Sequence, residues 1–92
     1  MDFTLPVFNA SGSSPMRIAV QYDKLRTAVE SSFALLSRCE CHPRDFQVQP
    51  HEEYDQAQQE RKEVVEAMRF ILQYAETWAQ HAADADLDGR LL

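Results

Sequence analysis

The second half of the chain carries apolar or small residues at alternating spacings of three and four positions. Such spacing places side chains along one side of an α-helix and is typical of a seam that packs against another helix. The predicted seam consists of Tyr54, Ala57, Arg61, Val64, Met68, Ile71, Ala75, Trp78 and Ala82. The sequence therefore predicts one long helix, from about His51 to about Ala83, that requires a helical partner.

A second amphipathic helix is predicted earlier in the chain, from about Pro15 to about Arg38. Ser14 is a favourable N-cap, and proline suits the first helical position because an N–H there would have no intrahelical acceptor. Pro43 and Pro50 disfavour helix in the connection that follows. The apolar stripe of this first helix consists of Ile18, Tyr22, Leu25, Val29, Phe33 and Leu36. The fold class predicted is all-α, an antiparallel two-helix hairpin spanning residues 15–83.

An extended N-terminal arm and a polar linker, together residues 1–14, precede the hairpin. Apolar residues alternate between positions 3 and 7, which is typical of an edge strand or a packed arm. In the connection, Phe46 and Val48 alternate with polar neighbours in the same way. These two residues are expected either to cover the helix ends or to pair with the arm.

The long helix is more apolar around its circumference than one helical partner requires. A single hairpin of this size also buries little surface to offset the entropy lost on folding. We therefore expect the chain to form a homodimer, in which two hairpins make a four-helix bundle. The alternative is that the same aromatic residues pack under the N-terminal arm of their own chain. The residues expected at the dimer or partner surface are Ala67, Phe70, Tyr74 and Trp78.

Composition limits the partners of this single small domain. Nine Lys and Arg against 15 Asp and Glu give a net charge of −6, which argues against binding to nucleic acid or to anionic membranes. No signal peptide and no apolar run of about 20 residues is evident in the sequence. The chain is expected to be cytoplasmic, where its cysteines would stay reduced. No family resemblance is evident.

Cys39, Cys41, His42 and His51 bring two thiols and two imidazoles into one connection, and these are ligands that zinc prefers. Zinc sites usually place two to four residues between paired cysteines, so the single intervening residue here is a poor match. The other interpretation is a solvated turn after the first helix. No cofactor is expected, with zinc as the alternative.

Asp84, Asp86 and Asp88, followed by Gly89, resemble the opening of an EF-hand calcium loop. The glutamate at the twelfth position of such a loop would fall beyond the end of the sequence, so at most a weak, open cation site is predicted. The other interpretation is an acidic tail over residues 84–92. Three aspartates near a helix C-terminus oppose its dipole, and the helix is therefore expected to end at about Ala83.

Catalytic residues are not predicted anywhere in the sequence, because no nucleophile, base or phosphate-binding loop forms a pattern. We expect a non-enzymatic protein–protein interaction module, a small regulator, adaptor or inhibitor that acts through the second helix. A metal-responsive protein is the second hypothesis. The third is an acidic mimic of nucleic acid, with a charge row made of Asp55, Glu60, Glu63 and Glu66; the same row is also typical of an ordinary solvent-exposed helix face.

Overall fold

The computed structural model describes residues 2–91, with side chains up to Gly89, and its first long element is helix α1, Pro15–Arg38. The Ser14 hydroxyl accepts a hydrogen bond from the Arg17 N–H at 3.4 Å, and Pro15 occupies the first turn. At the other end, Cys39 is extended and its N–H donates to the Leu36 carbonyl at 3.0 Å. The predicted limits of this helix are confirmed.

The connection contains a short 3₁₀ helix, Pro43–Phe46, rather than a strand. The His42 N–H donates to a carboxylate oxygen of Asp45 at 2.9 Å, which fixes the start of this turn. Phe46 then packs on Tyr54 with ring centroids 5.7 Å apart, whereas Val48 is 98% exposed. Pairing of this segment with the N-terminal arm is therefore wrong, and residues 2–91 contain no strand.

Helix α2, His51–Leu91, comprises 41 residues and continues through the predicted acidic tail. The expected end at about Ala83 is incorrect. A helix dipole affects charges mainly within the terminal turn and by at most about 1 kcal/mol at exposed sites, so Asp84 lies too far from the end to stop the helix. The Gln80 amide also donates to the Asp84 carboxylate at 2.8 Å, one turn away, which supports helix at this point.

The two helices form an antiparallel hairpin measuring 66 × 22 × 18 Å. At one end the Arg61 guanidinium donates to the Leu36 carbonyl at 2.6 Å, capping the last turn of α1. In the middle the guanidinium of Arg69 lies over the Phe33 ring, 5.9 Å from its centroid. The described structure is all-α, as predicted.

The hairpin has a thin core. Among residues 2–89, only Ala75 and Ala82 are buried hydrophobic residues. The stripe of α1 faces α2, although Leu25 at its edge remains 39% exposed. Large side chains are therefore only partly removed from water, and the chain depends on contacts beside the helix seam.

Candidate interaction surface

The N-terminal arm lies along the C-terminal half of α2 in the same chain. Phe3 contacts two aromatic residues of this helix edge-on, with ring centroids 5.6 Å from Phe70 and 5.3 Å from Tyr74. Edge-to-face pairs at these distances are favourable because the positive ring edge meets the negative ring face. The alternative in which the arm covers these aromatics within one chain is therefore observed.

Further along the arm, His81 of α2 forms the second point of attachment. Its Nε2 lies 2.6 Å from the Pro6 carbonyl oxygen. Because a carbonyl can only accept, Nε2 carries the hydrogen in this contact. Phe8 stacks on the same imidazole with a centroid distance of 5.7 Å and an interplanar angle of 28°. Two rings and one hydrogen bond thus hold the arm to the helix.

Trp78 packs against α1 of the same chain. Its ring stacks on Tyr22 at 4.8 Å and 13°, and the Tyr22 hydroxyl lies 3.5 Å from that of Tyr74. The hydrogen bond with Tyr74 is the main cause of a raised pKa at Tyr22, and partial burial adds to it. Within the part of the chain that the structure describes, the buried Trp78 Nε1 has no hydrogen-bond partner.

A cavity of about 190 Å³ separates the arm and linker from the hairpin, lined by residues that include Pro6, Phe8, Ile18 and Trp78. Small-molecule sites usually occupy about 300–1,000 Å³. The cavity beside Trp78 is therefore small for a metabolite or cofactor.

The four residues predicted at the partner surface divide into two pairs. Tyr74 and Trp78 are partly buried in the intrachain aromatic cluster, so they contribute little open surface. Ala67 is exposed, and Phe70 remains 45% exposed although Phe3 touches its ring. The predicted surface thus persists only in its N-terminal half.

Two residues assigned by their spacing to the helix seam extend this remaining surface. Val64 is 48% exposed and Ile71 is 42% exposed. A seam with a period of 3.5 residues drifts by about 20° per heptad on a straight helix of 3.6 residues per turn, so seam positions can rotate away from the partner. We call the set of Val64, Ala67, Phe70 and Ile71 the open face of α2. The spacing of these residues along the sequence does not distinguish them from the seam residues that contact α1.

The predicted zinc ligands are not brought together. The Cys39 thiol donates to the Leu35 carbonyl at 3.4 Å, and His51 lies beside Asp55 with a nitrogen–oxygen distance of 3.6 Å. Cys41 and His42 are partly buried at the start of the 3₁₀ helix. Among the described residues, no group of three or more His, Cys, Asp or Glu side chains is arranged to hold a metal ion.

The predicted cation ligands, Asp84, Asp86 and Asp88, occupy a continuous helix rather than a loop. Asp86 lies about 200° around the axis from both Asp84 and Asp88, so the three carboxylates do not converge. The calcium loop requires a tight turn that converges its oxygens, and Gly89 does not supply one here because it too is helical. The geometry does not form the cation site.

The acidic row predicted for a nucleic-acid mimic is exposed along its whole length. Asp55 faces His51, while the remaining members are Glu60, Glu63 and Glu66.

Comparisons with protein-family models, with curated sequences and with solved structures found no match to this chain. Among the described residues, neither helix has an apolar stretch long enough to cross a bilayer.

Proposed function

We propose that this protein is a non-enzymatic protein–protein interaction module that presents the open face of α2 to another protein. The observation that supports this proposal is the row of three large apolar side chains, Val64, Phe70 and Ile71, each between 42% and 48% exposed. They lie within two turns on one long helix, which holds them in fixed positions. Exposed apolar residues that cluster in this way are typical of sites for other proteins.

The chemistry of the face fits helix recognition. Residues 64, 67 and 71 follow the spacing of three and four that is typical of anchor residues contacted by a partner helix. We propose a role as a regulator, adaptor or inhibitor, each of which acts through a binding surface.

The two other hypotheses receive less support from the geometry. A zinc-responsive protein would need Cys39 and His51 in one ligand set, and they make separate local contacts. The acidic row of a nucleic-acid mimic is exposed, but Val64 and Ile71 expose apolar surface on the same helix, which favours a protein-binding face. The interaction hypothesis also includes homodimerisation, in which the open face of one copy contacts a second copy of the chain.

We further propose a cytoplasmic location. Cys39 and Cys41 are both free thiols, and reducing conditions in the cytosol maintain cysteines in that state. Labelling of both thiols by a maleimide in freshly opened cells tests this location, and a protein recovered with oxidised cysteines would contradict it.

Site-specific photocrosslinking tests the function. We would replace Ala67 with benzoylphenylalanine in the native host, and in a control molecule replace Gln80, which is exposed away from the open face. A discrete adduct is expected from position 67 only, and Ile71→Glu should abolish it because a charge would enter the apolar contact. The adduct's mass separates a partner protein from a second copy of this chain. Equal adducts from both positions, or none from position 67, would refute the proposal.

A further inference from the structure

The open face continues toward the N-terminal end of α2 as a row of carboxylates. Glu60 and Glu63 lie one turn before Val64 and Ala67, and Glu53 lies two turns before Glu60. All three glutamates are exposed. Steps of three, four and seven residues connect the carboxylates to the apolar residues, so the two sets form one continuous strip on the same helix side.

No ion pair among the described residues neutralises these carboxylates. Within residues 2–89, ion pairs occur at Asp23, Glu30 and Asp55, and none involves the three glutamates of the strip. Glu60 and Glu63 also stand one turn apart, where like charges repel each other.

The described Lys and Arg side chains of α2 are directed elsewhere. The Arg61 guanidinium bonds the Leu36 carbonyl, and that of Arg69 lies over Phe33. Lys62 lies beside Glu66 and Arg69 on another side of the helix. The strip from residue 53 to residue 71 is therefore acidic at one end, apolar at the other and free of Lys or Arg.

We infer that the partner of this strip is a basic amphipathic helix, and this inference rests on the function proposed above. Its apolar side would cover Val64, Phe70 and Ile71, while Lys or Arg at one end would pair with Glu60 and Glu63. The strip spans 18 steps of about 1.5 Å, so a partner helix of roughly 18 residues, or five turns, matches its length. Charge complementarity of this kind also selects one direction of binding.

A second copy of the chain fits the strip less well. Each copy carries a net charge of −6, and the strip itself offers no cation to a symmetric partner. Partly exposed side chains of this number expose on the order of a few hundred Å² on each copy, below the roughly 800 Å² that each partner contributes to a stable interface. A partner that brings opposite charge compensates for this small apolar area.

Peptide binding tests the inference. The probe is a fluorescein-labelled helical peptide of 18 residues with leucines at helical spacing and lysines at one end, and its matched control carries glutamate at every lysine position. We expect fluorescence anisotropy to detect binding of the lysine peptide, weakened by added salt. The glutamate peptide should not bind.

Matched variants locate the binding site. The double variant Glu60→Gln with Glu63→Gln should bind the lysine peptide about tenfold more weakly, since two charge pairs are lost. Removal of the same charge elsewhere, by Glu40→Gln with Glu76→Gln at exposed positions off the strip, should leave affinity unchanged. Circular dichroism verifies that each variant is folded.

Failure of this inference and failure of the proposed function give different experimental results. Equal binding of both peptides, or equal weakening by both double variants, would refute the basic partner. A dimer in sedimentation that Ile71→Glu dissociates would also refute it, because the occupant would be a second copy. If position 67 still crosslinks a partner protein while the lysine peptide fails to bind, the proposed function stands and this inference is wrong.

Discussion

The attachment of the N-terminal arm yields a quantitative prediction for Phe3→Ala. Complete burial of a phenylalanine side chain contributes about 1.5–3 kcal/mol, and Phe3 is only partly buried. Each of its edge-to-face contacts with Phe70 and Tyr74 adds about 0.5–1.5 kcal/mol. We expect the free energy of unfolding to fall by about 2 kcal/mol, which corresponds to roughly 8–16 °C in the melting temperature of a domain of this size.

Thermal and urea unfolding followed by circular dichroism would measure this effect. Val7→Ala is the matched control because Val7 belongs to the same arm but is 89% exposed, so its truncation should change the free energy by less than about 0.5 kcal/mol. Deletion of residues 2–8 sets the upper limit, since no single arm substitution can cost more than the docking of the whole arm. Equal effects of the two substitutions, or an unchanged melting temperature in the deletion variant, would show that the arm contributes nothing to stability.

Three further predictions follow from individual contacts. Arg61→Ala should lower the free energy of unfolding by about 1.5–3 kcal/mol, because it removes a charged donor from the Leu36 carbonyl, whereas Lys62→Ala next to it should have little effect in the same denaturation assay. Gly89→Ala should raise the helical circular dichroism signal and stabilise the last turns of α2 by about 0.5–1 kcal/mol. The added Cβ has space, since nothing lies within 4 Å of it. A loss of helicity in this variant would mean that Gly89 ends the helix. The raised pKa of Tyr22 favours its neutral form in the folded state, so its contribution to stability is complete below pH 10 and falls as the pH rises from 10 through the folded pKa. Absorbance titration of the tyrosinate should show this ionisation shifted downward in Tyr74→Phe, and an unchanged titration would contradict the role of that hydrogen bond.

Helix α1 was predictable because its signals are local. Ser14 and Pro15 define its start through the cap itself, and the extended Cys39 lies where the sequence loses its apolar stripe. The end of α2 lies beyond the predicted residue because each acidic charge near a helix C-terminus costs only a fraction of 1 kcal/mol, which is too little to interrupt a continuous helix. The contact between Gln80 and Asp84, together with alanines at 82, 83 and 85, favours helix more strongly.

The position of the arm and the residues of the open face could not be predicted from local sequence patterns. Phe3 reaches Tyr74 across more than 70 positions of sequence, and no periodicity encodes such a contact. Val64 and Ile71 match the seam in spacing, and only the path of α1 across α2 decides which seam positions it covers. The sequence predicted more apolar surface on α2 than α1 can cover. In the structure, the arm covers one part of that surface and another part stays exposed.

The thin core links stability to binding in this protein. Ala75 and Ala82 are the fully buried hydrophobic residues among those described, so the hairpin gains little from closed packing. A partner that binds only the folded chain stabilises it by mass action, and at a concentration 100 times its dissociation constant that gain is about 2.7 kcal/mol. This gain is comparable to the expected contribution of Phe3, and it would come from covering Val64, Phe70 and Ile71 on the same helix. The melting temperature should therefore rise when the lysine peptide is added to the intact chain, and the rise should be smaller for the Glu60→Gln, Glu63→Gln variant.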